Sequence, residues 1–285
     1  MITGASGMVG HDLVSALKLQ DEDVVALGKR ELDITDQKAV ERAADEAKPS
    51  IIVNCAAYTK VDDAETNEVV AMAVNGSSVG HLVHVADRHH ALLVQISTDF
   101  VFDGQGRSPY TITDRTGPLS SYGRSKLVGE QEAARAGRNL IIRTAWLFGR
   151  HGPNFVESIR NQVRKGNRAL QVVNDQRGRP TYTPHLAEAI VRLARATNEQ
   201  EEARGVIHYA DSPECTWFDF ARAIVEEMQE RGEAPADVSI APVTTDQFPR
   251  PARRPAYSVL STERYERITG VAPDSWREGL ADYFG

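Results

Sequence analysis

Tyr122 and Lys126 stand four positions apart in the segment SSYGRSKLVGE. On a helix that spacing sends both side chains out of one face, a single turn apart. A phenol beside an ammonium is a proton-transfer pair. Reducing a carbonyl requires a hydride on carbon and a proton on oxygen, and a tyrosine supplies the proton if its pKa, ordinarily about 10, is brought down. Lowering it by about three units takes roughly 4 kcal/mol of preferential phenolate stabilisation, within reach of a close, partly desolvated cation. Lys126 also has donors to spare for the ribose of a nicotinamide, which would fix the ring's orientation. Thr98, in STDFVFDG, closes an apolar run. Its hydroxyl both donates and accepts, which suits it to hold the reacting oxygen beside Tyr122. Tyr-x-x-x-Lys alone is common on exposed helices, so its weight comes from what precedes it.

What precedes it is a glycine loop. TGASGMVG sets Gly4, Gly7 and Gly10 in a GxxGxxG spacing, with Ser6, Met8 and Val9 between them. Small residues between a strand and a helix let the backbone turn sharply against a pyrophosphate, whose charge meets the helix N-terminal N–H groups. At the end of the second strand a free ribose 2′-hydroxyl calls for Asp or Glu, and a 2′-phosphate for a cation. Gly28 is followed there by Lys29 and Arg30, which points to NADPH as preferred donor with NADH possible; solvated loop charges explain the pair equally well. Asp33 and Ile34 in ELDITD would face the adenine edge. Cys55, Ala56, Ala57 and Tyr58 follow the third strand, where low bulk would let the cofactor lie flat, although tight strand–helix packing accounts for the alanines as readily. Asn75, in the next helix, is assigned to the same cofactor edge.

The elements that must position these groups alternate. Apolar strands read at Met1 to Thr3, Val24 to Leu27, Ser50 to Asn54, Leu92 to Ser97 and Leu140 to Thr144. Between them amphipathic stretches predict helices near Met8 to Leu19, Gln37 to Lys48, Glu68 to Arg88 and Tyr122 to Ala136, the pattern of a parallel sheet. Only Met1 to Thr3 remain for a strand that usually has about five residues. Either residues ahead of it are missing or this edge of the site is held loosely. Asn174 to Pro184, rich in Arg, Gly, Pro and Thr, reads as a ligand-facing loop. A helix at His185 to Ala196 and a strand at Gly205 to Tyr209 could return to the first sheet. Thr216 N-caps a helix to Arg231, and two short helices close the tail.

Composition excludes several classes. The chain has 285 residues and a formal charge of -7, which disfavours nonspecific nucleic-acid binding. No apolar run approaches the roughly 20 residues of a membrane helix, and no secretion signal is visible, so a cytoplasmic enzyme is expected. Cys55 and Cys215 lack metal-ligand spacing and read as buried apolar fillers; the eight histidines are scattered, and no metal ligand is assigned.

Together, TGASGMVGHDL, ELDITD, NCAAYTKVDDAE, STDFVFDG, YGRSKLVGE, RTAWLFG, DQRGRPTYT and ARRPAYSVL resemble the dTDP-4-dehydrorhamnose reductase family of extended short-chain dehydrogenases/reductases. That resemblance implies an α/β, Rossmann-type doubly wound parallel sheet over residues 1–145, also receiving 180–210, and an interleaved substrate lobe over 146–179 and 211–285. It makes Tyr122 the general acid, Lys126 its electrostatic partner and Thr98 the third member, acting on the C4 ketone of dTDP-4-dehydro-L-rhamnose. It assigns Thr98, Asp99, Phe100, Trp146, Asn154, Phe155 and Arg254 to the dTDP-sugar, Arg254 neutralising the diphosphate; a core tryptophan explains Trp146 as well. Members resemble dimers joined by magnesium, but the family's glutamate after the glycine loop is Asp12 here, which leaves the homodimer and the Mg2+ open. A sugar-nucleotide 4-epimerase with tightly held NAD, and a noncatalytic subunit like that of methionine adenosyltransferase, are the alternatives; the latter has no need of the acid.

Overall fold

The apolar runs of the first half form strands and the amphipathic stretches form helices, in a computed structural model that describes residues 1–285. In chain order these are β1 (Ile2–Thr3), α1 (Met8–Lys18), β2 (Ala26–Leu27), α2 (Gln37–Ala47), β3 (Ile51–Asn54), α3 (Glu68–Met72), α4 (Val79–Arg88), β4 (Leu92–Thr98), α5 (Ser121–Ala133) and β5 (Asn139–Thr144). The second half continues with β6 (Leu147–Phe148), α6 (Phe155–Arg164), β7 (Ala169–Val173), β8 (Arg177–Gly178), β9 (Thr181–Tyr182) and α7 (Thr183–Glu199). It ends with β10 (Gly205–His208), β11 (Cys215–Thr216), α8 (Trp217–Glu230), β12 (Ser239–Val243), α9 (Glu263–Thr269) and α10 (Trp276–Phe284).

Six of the strands form one sheet in the order β10-β5-β4-β3-β1-β2, parallel throughout. Both faces are covered, so side chains alternate between two cores rather than between core and water. Leu92, Val94 and Ile96 of β4 join Leu13, Leu186 and Ile190 under α1 and α7. Leu93 and Ile141 turn the other way, against Val40, Leu82 and Val85 of α2 and α4. A third core, with Phe148, Val156, Ile159, Phe220, Ile224 and Trp276, holds α6, α8 and α10 together.

Several expectations change. β1 is short but firmly held: Val53 donates to the Met1 carbonyl at 2.9 Å, Cys55 to Thr3 at 3.1 Å and Ala5 to Leu27 at 3.1 Å. The stretch read as one helix from Glu68 to Arg88 is one, with a π turn at Ala73–Ser77 inside it. Its 21 residues are also long and apolar enough to cross a membrane, contrary to the sequence reading. Yet Ala71, Val79, Leu82, Val85 and Ala86 are buried in the protein. Residues 174–184 are more than a loop, because β8 and β9 pair there with β11 and β6, and α7 begins at Thr183. α6, β7 and β12 were not foreseen; β7 and β12 pair in parallel, Ala169 opposite Ser239.

Candidate active site

The proton-transfer pair is placed by the N-terminus of α5. Ser120 caps it, its side chain accepting from Gly123 N at 3.2 Å, and Glu65 accepts from Ser121 N at 2.8 Å. A Cβ at Gly123 would collide with the Phe100 carbonyl, so glycine lets α5 start directly against the turn that follows β4. Tyr122 therefore packs edge-on against Phe100, with ring centroids 5.7 Å apart. Thr98 ends β4 and its hydroxyl lies beside the phenol. One turn on, the buried Lys126 Nζ donates to the Ile96 carbonyl at 2.6 Å and lies near Cys55. Cys55 and Ala56 in turn crowd Gly4, where a Cβ would sit 2.5 Å from Ala56 N; Gly4 also has φ +65. Tyr122, Lys126 and the glycine loop thus border one cleft at the C-terminal ends of the parallel strands, where ligands of such sheets bind.

The electrostatics differ from the sequence reading. Burial pushes the Tyr122 phenol up to about 12, with the Thr98 hydroxyl drawing it back and the Asp99 carboxylate pushing it further. Lys126 does not lower it. The ammonium gives one N–H to Ile96 O, and burial brings Lys126 itself down to about 8 against the opposing pull of Glu130. Thr98 also donates to Asp99 Oδ1 at 3.0 Å. Asp99 is 1% exposed, and burial pushes its carboxyl up to about 6.

A dinucleotide fits the glycine loop. α1 begins at Gly7 without a capping side chain and with no acid in its first turn, leaving its N–H groups for an anion. Met8 and Val9 form that first turn, and Gly10 packs against Gly4. Ser6 reaches Gly28 at the end of β2, and beyond it Lys29 and Arg30 are exposed. Sequence reasoning missed Glu31, whose carboxylate also crowds Gly28. Asp33 is occupied by Thr35, accepting from its amide at 2.9 Å and its hydroxyl at 2.7 Å. Ile34 is not at the adenine edge: its side chain is 3% exposed within the α2–α4 core. Cys55 is only half-buried, with Ala56, Ala57 and Tyr58 beside it. Asn75 is a clamp, not an open cofactor contact. Its amide donates to Tyr58 O at 3.0 Å and Ser125 Oγ at 2.9 Å, and its carbonyl accepts from Tyr58 N at 2.7 Å.

Two polar networks escaped the sequence. Thr3 donates to Asn54 Oδ1 at 2.6 Å, Asn54 to Gln95 Oε1 at 2.8 Å, and Gln95 to Ile96 O at 3.0 Å, the carbonyl that also holds Lys126. Below them Glu130 accepts from Arg143 at 2.9 and 2.7 Å and from Ser97 at 2.5 Å. Burial and Arg143 bring the neighbouring His208 down to about 3. Polar residues inside otherwise apolar strands were the available signal.

On the substrate side the assigned residues scatter more. Trp146, at φ 46, stacks on Trp217 with centroids 3.6 Å apart, and Phe155 leans on Trp217 at 4.7 Å. Asn154 is a structural residue: it caps α6 through Glu157 N at 3.1 Å and ties down Gly149 O at 2.7 Å. Arg254 is already paired in two-pronged fashion, to both oxygens of Asp62 at 2.9 Å. Magnesium does not fit beside Asp12. That ion takes oxygen ligands, whereas Asp12 faces the imidazoles of His11 and His151.

A family profile described as the RmlD substrate binding domain matches residues 1–285. A Streptomyces antibioticus protein named as a probable dTDP-4,6-dihydroxy-2-methyloxan-3-one 4-ketoreductase is 42% identical, over 100% of this chain and 94% of its own. The solved dTDP-4-dehydrorhamnose reductase of Clostridium acetobutylicum matches with a TM-score of 0.92 at 38% identity, over 99% of this chain and 97% of that one. The Bacillus anthracis enzyme, in complex with NADP, matches with a TM-score of 0.90 at 34% identity, over 99% and 97%. Matched over its whole length by the profile and by these relatives, the chain belongs to the dTDP-4-dehydrorhamnose reductase family.

Proposed function

We propose that the protein reduces the C4 ketone of dTDP-4-dehydro-L-rhamnose to dTDP-L-rhamnose, with Tyr122 as proton donor. NADPH, when bound, supplies the hydride. The reading rests on one observation above all: the phenol, Thr98 and Lys126 converge beside the glycine loop.

The uncapped first turn of α1 receives the pyrophosphate, and Lys29 with Arg30 meets a 2′-phosphate. Lys126 keeps two N–H donors beyond the one given to Ile96 O, enough to hold a ribose hydroxyl pair. At about 8 its pKa leaves it mostly charged at neutral pH. A phenol at about 12 holds its proton throughout that range, which is the form an acid needs. The alkoxide made by hydride transfer is a stronger base than the phenolate, so proton transfer from Tyr122 is downhill. Asp99 orients Thr98, whose hydroxyl sits beside the phenol where the ketone oxygen takes the proton. Phe100 packs on the phenol ring. Trp146 and Phe155 border the sugar pocket, and Arg254 exchanges Asp62 for the diphosphate.

Purified protein given dTDP-4-dehydro-L-rhamnose and NADPH should lose nicotinamide absorbance, and faster than with NADH. Tyr122→Phe should lose about 10²–10⁴-fold in turnover while binding NADPH as before. Turnover retained in that variant removes Tyr122 from the chemistry; parallel runs with other dTDP-4-keto sugars define the sugar.

A further inference from the structure

Away from that cleft, His11, Asp12 and His151 bring three ligand atoms within 4.8 Å of one another. His11 and Asp12 follow the glycine loop on α1, and His151 comes from the loop between β6 and α6. His11 Nδ1 and His151 Nε2 lie 3.9 and 3.8 Å from the same oxygen, Asp12 Oδ1. Both distances exceed a hydrogen bond, so neither imidazole nitrogen is spent on the carboxylate. The imidazoles stack with centroids 3.4 Å apart, an arrangement that two imidazolium cations would resist.

The surroundings hold the three in place. The other Asp12 oxygen accepts from the buried Thr183 hydroxyl at 2.5 Å, the kind of outer contact that orients a metal-bound carboxylate. The loop carrying His151 is fastened by Asn154 to Gly149 O and Gly152 O, at 2.7 and 3.1 Å, and by Arg150 to Tyr283 O at 3.3 Å. Asp12 is 12% exposed while the two histidines are 48% and 41% exposed, which leaves an ion a way in.

We propose that His11, Asp12 and His151 form a binding site for a divalent transition metal of the zinc, cobalt and nickel class, which ties α1 to the β6–α6 loop and, through Thr183, to α7. Two imidazoles and a carboxylate with an open position suit such an ion and not magnesium. Tetrahedral bonds of about 2.0–2.1 Å set neighbouring ligand atoms about 3.3 Å apart, so each imidazole nitrogen closes on the carboxylate by about half an ångström while the two rings unstack to aim their in-plane lone pairs at one ion. The site stands apart from the reductase reading.

The test uses tag-free full-length protein titrated with Co2+. A saturable visible d–d band is expected, displaced by Zn2+ and untouched by Mg2+. Zinc at about 1 mM, tenfold above a Kd of about 100 µM, should raise Tm by a few degrees, and magnesium should not. His11→Gln and His151→Gln, each with the wild-type Tm when metal-free, should each weaken binding at least about tenfold, the size expected for a lost ligand or its orienting partner. His185→Gln should bind as wild type, since the His185–Asp211 pair at 2.9 Å is already closed by hydrogen bonds from Tyr182 N and Tyr209. If either ligand variant fails to fold, Asp12→Asn replaces it. No saturable cobalt band in the wild type, or binding that survives the ligand substitutions, overturns the proposal.

Discussion

Asp99→Asn should stabilise the fold at alkaline pH while slowing turnover. The carboxyl is 1% exposed and its Oδ2 makes no hydrogen bond. Burial raises its pKa from 3.8 to about 6, with the Ser258 and Thr98 hydroxyls drawing it back. A shift of about two units, at 1.36 kcal/mol each, makes the ionised form cost about 3 kcal/mol. Because the folded pKa lies above the unfolded one, the folded state holds the proton more tightly. The cost is therefore fully present above pH 6, shrinks as pH falls through that value, and is gone below the unfolded value of 3.8. Asparagine cannot ionise, but its amide leaves N–H groups unpaired at about 1–2 kcal/mol, so the net gain at pH 8 should be about 1–2 kcal/mol, or a few degrees in Tm. Near pH 4 the gain should vanish or reverse. Calorimetry of both proteins at pH 8 and pH 4.5 reads this directly. Turnover should fall about tenfold, because Thr98 loses a charged acceptor worth about 1.5 kcal/mol. A Tm difference that does not change with pH, or one more favourable to Asn at the lower pH, would refute the buried-charge account.

With Lys126 at about 8, its cation is present below that value and lost above it; kcat/KM for NADPH should therefore decline above about pH 8, and a flat profile to pH 10 would contradict this. Arg254→Ala should raise KM for the dTDP-sugar much more than it lowers kcat, and an unchanged KM would take Arg254 out of diphosphate binding. Glu130→Gln breaks a buried pair with Arg143, the two side chains being 5% and 6% exposed, and should cost about 3–5 kcal/mol in urea denaturation, whereas a loss under about 1 kcal/mol would show that the pair carries no charge.

What could be read from the sequence was what is local. The Tyr122–Lys126 spacing, the glycine loop and the period-two and period-3.6 runs each lie within one or two elements, and they placed α1, α2, β3, β4, α5 and β5 to within a few residues. What depended on distant partners was hidden. The pairing of Ala169 with Ser239 has no local signature, so β7 and β12 went unread. Asn75 sits on a π turn whose only visible cause is the helix it meets: a Cβ at Gly129 of α5 would strike the Asn75 carbonyl. His11 and His151 are unremarkable in sequence and meet only because the β6–α6 loop folds back on α1. The sign of the Tyr122 shift was misread for a related reason. Spacing fixes which groups are neighbours, but burial decides how much each charge costs.

Glu130 extends the reactive stripe of α5, since Tyr122, Lys126 and Glu130 recur at four-residue intervals on one face. The three are not equivalent. A buried ammonium with a single carbonyl partner is driven towards its neutral form, and the Glu130 carboxylate opposes this for Lys126 more than any other group does. Glu130 is in turn held by the Arg143 fork and the Ser97 hydroxyl. The Tyr122–Lys126 pair therefore depends on charges two turns deeper, in the sheet itself: β5 supplies Arg143, β4 supplies Ser97 and the Ile96 carbonyl, and their parallel register sets Ser97 opposite Arg143. A slip of that register by one residue would turn Arg143 into the α1–α7 core and leave Glu130 unpaired, so the ordering of the charges and the ordering of the strands are one constraint.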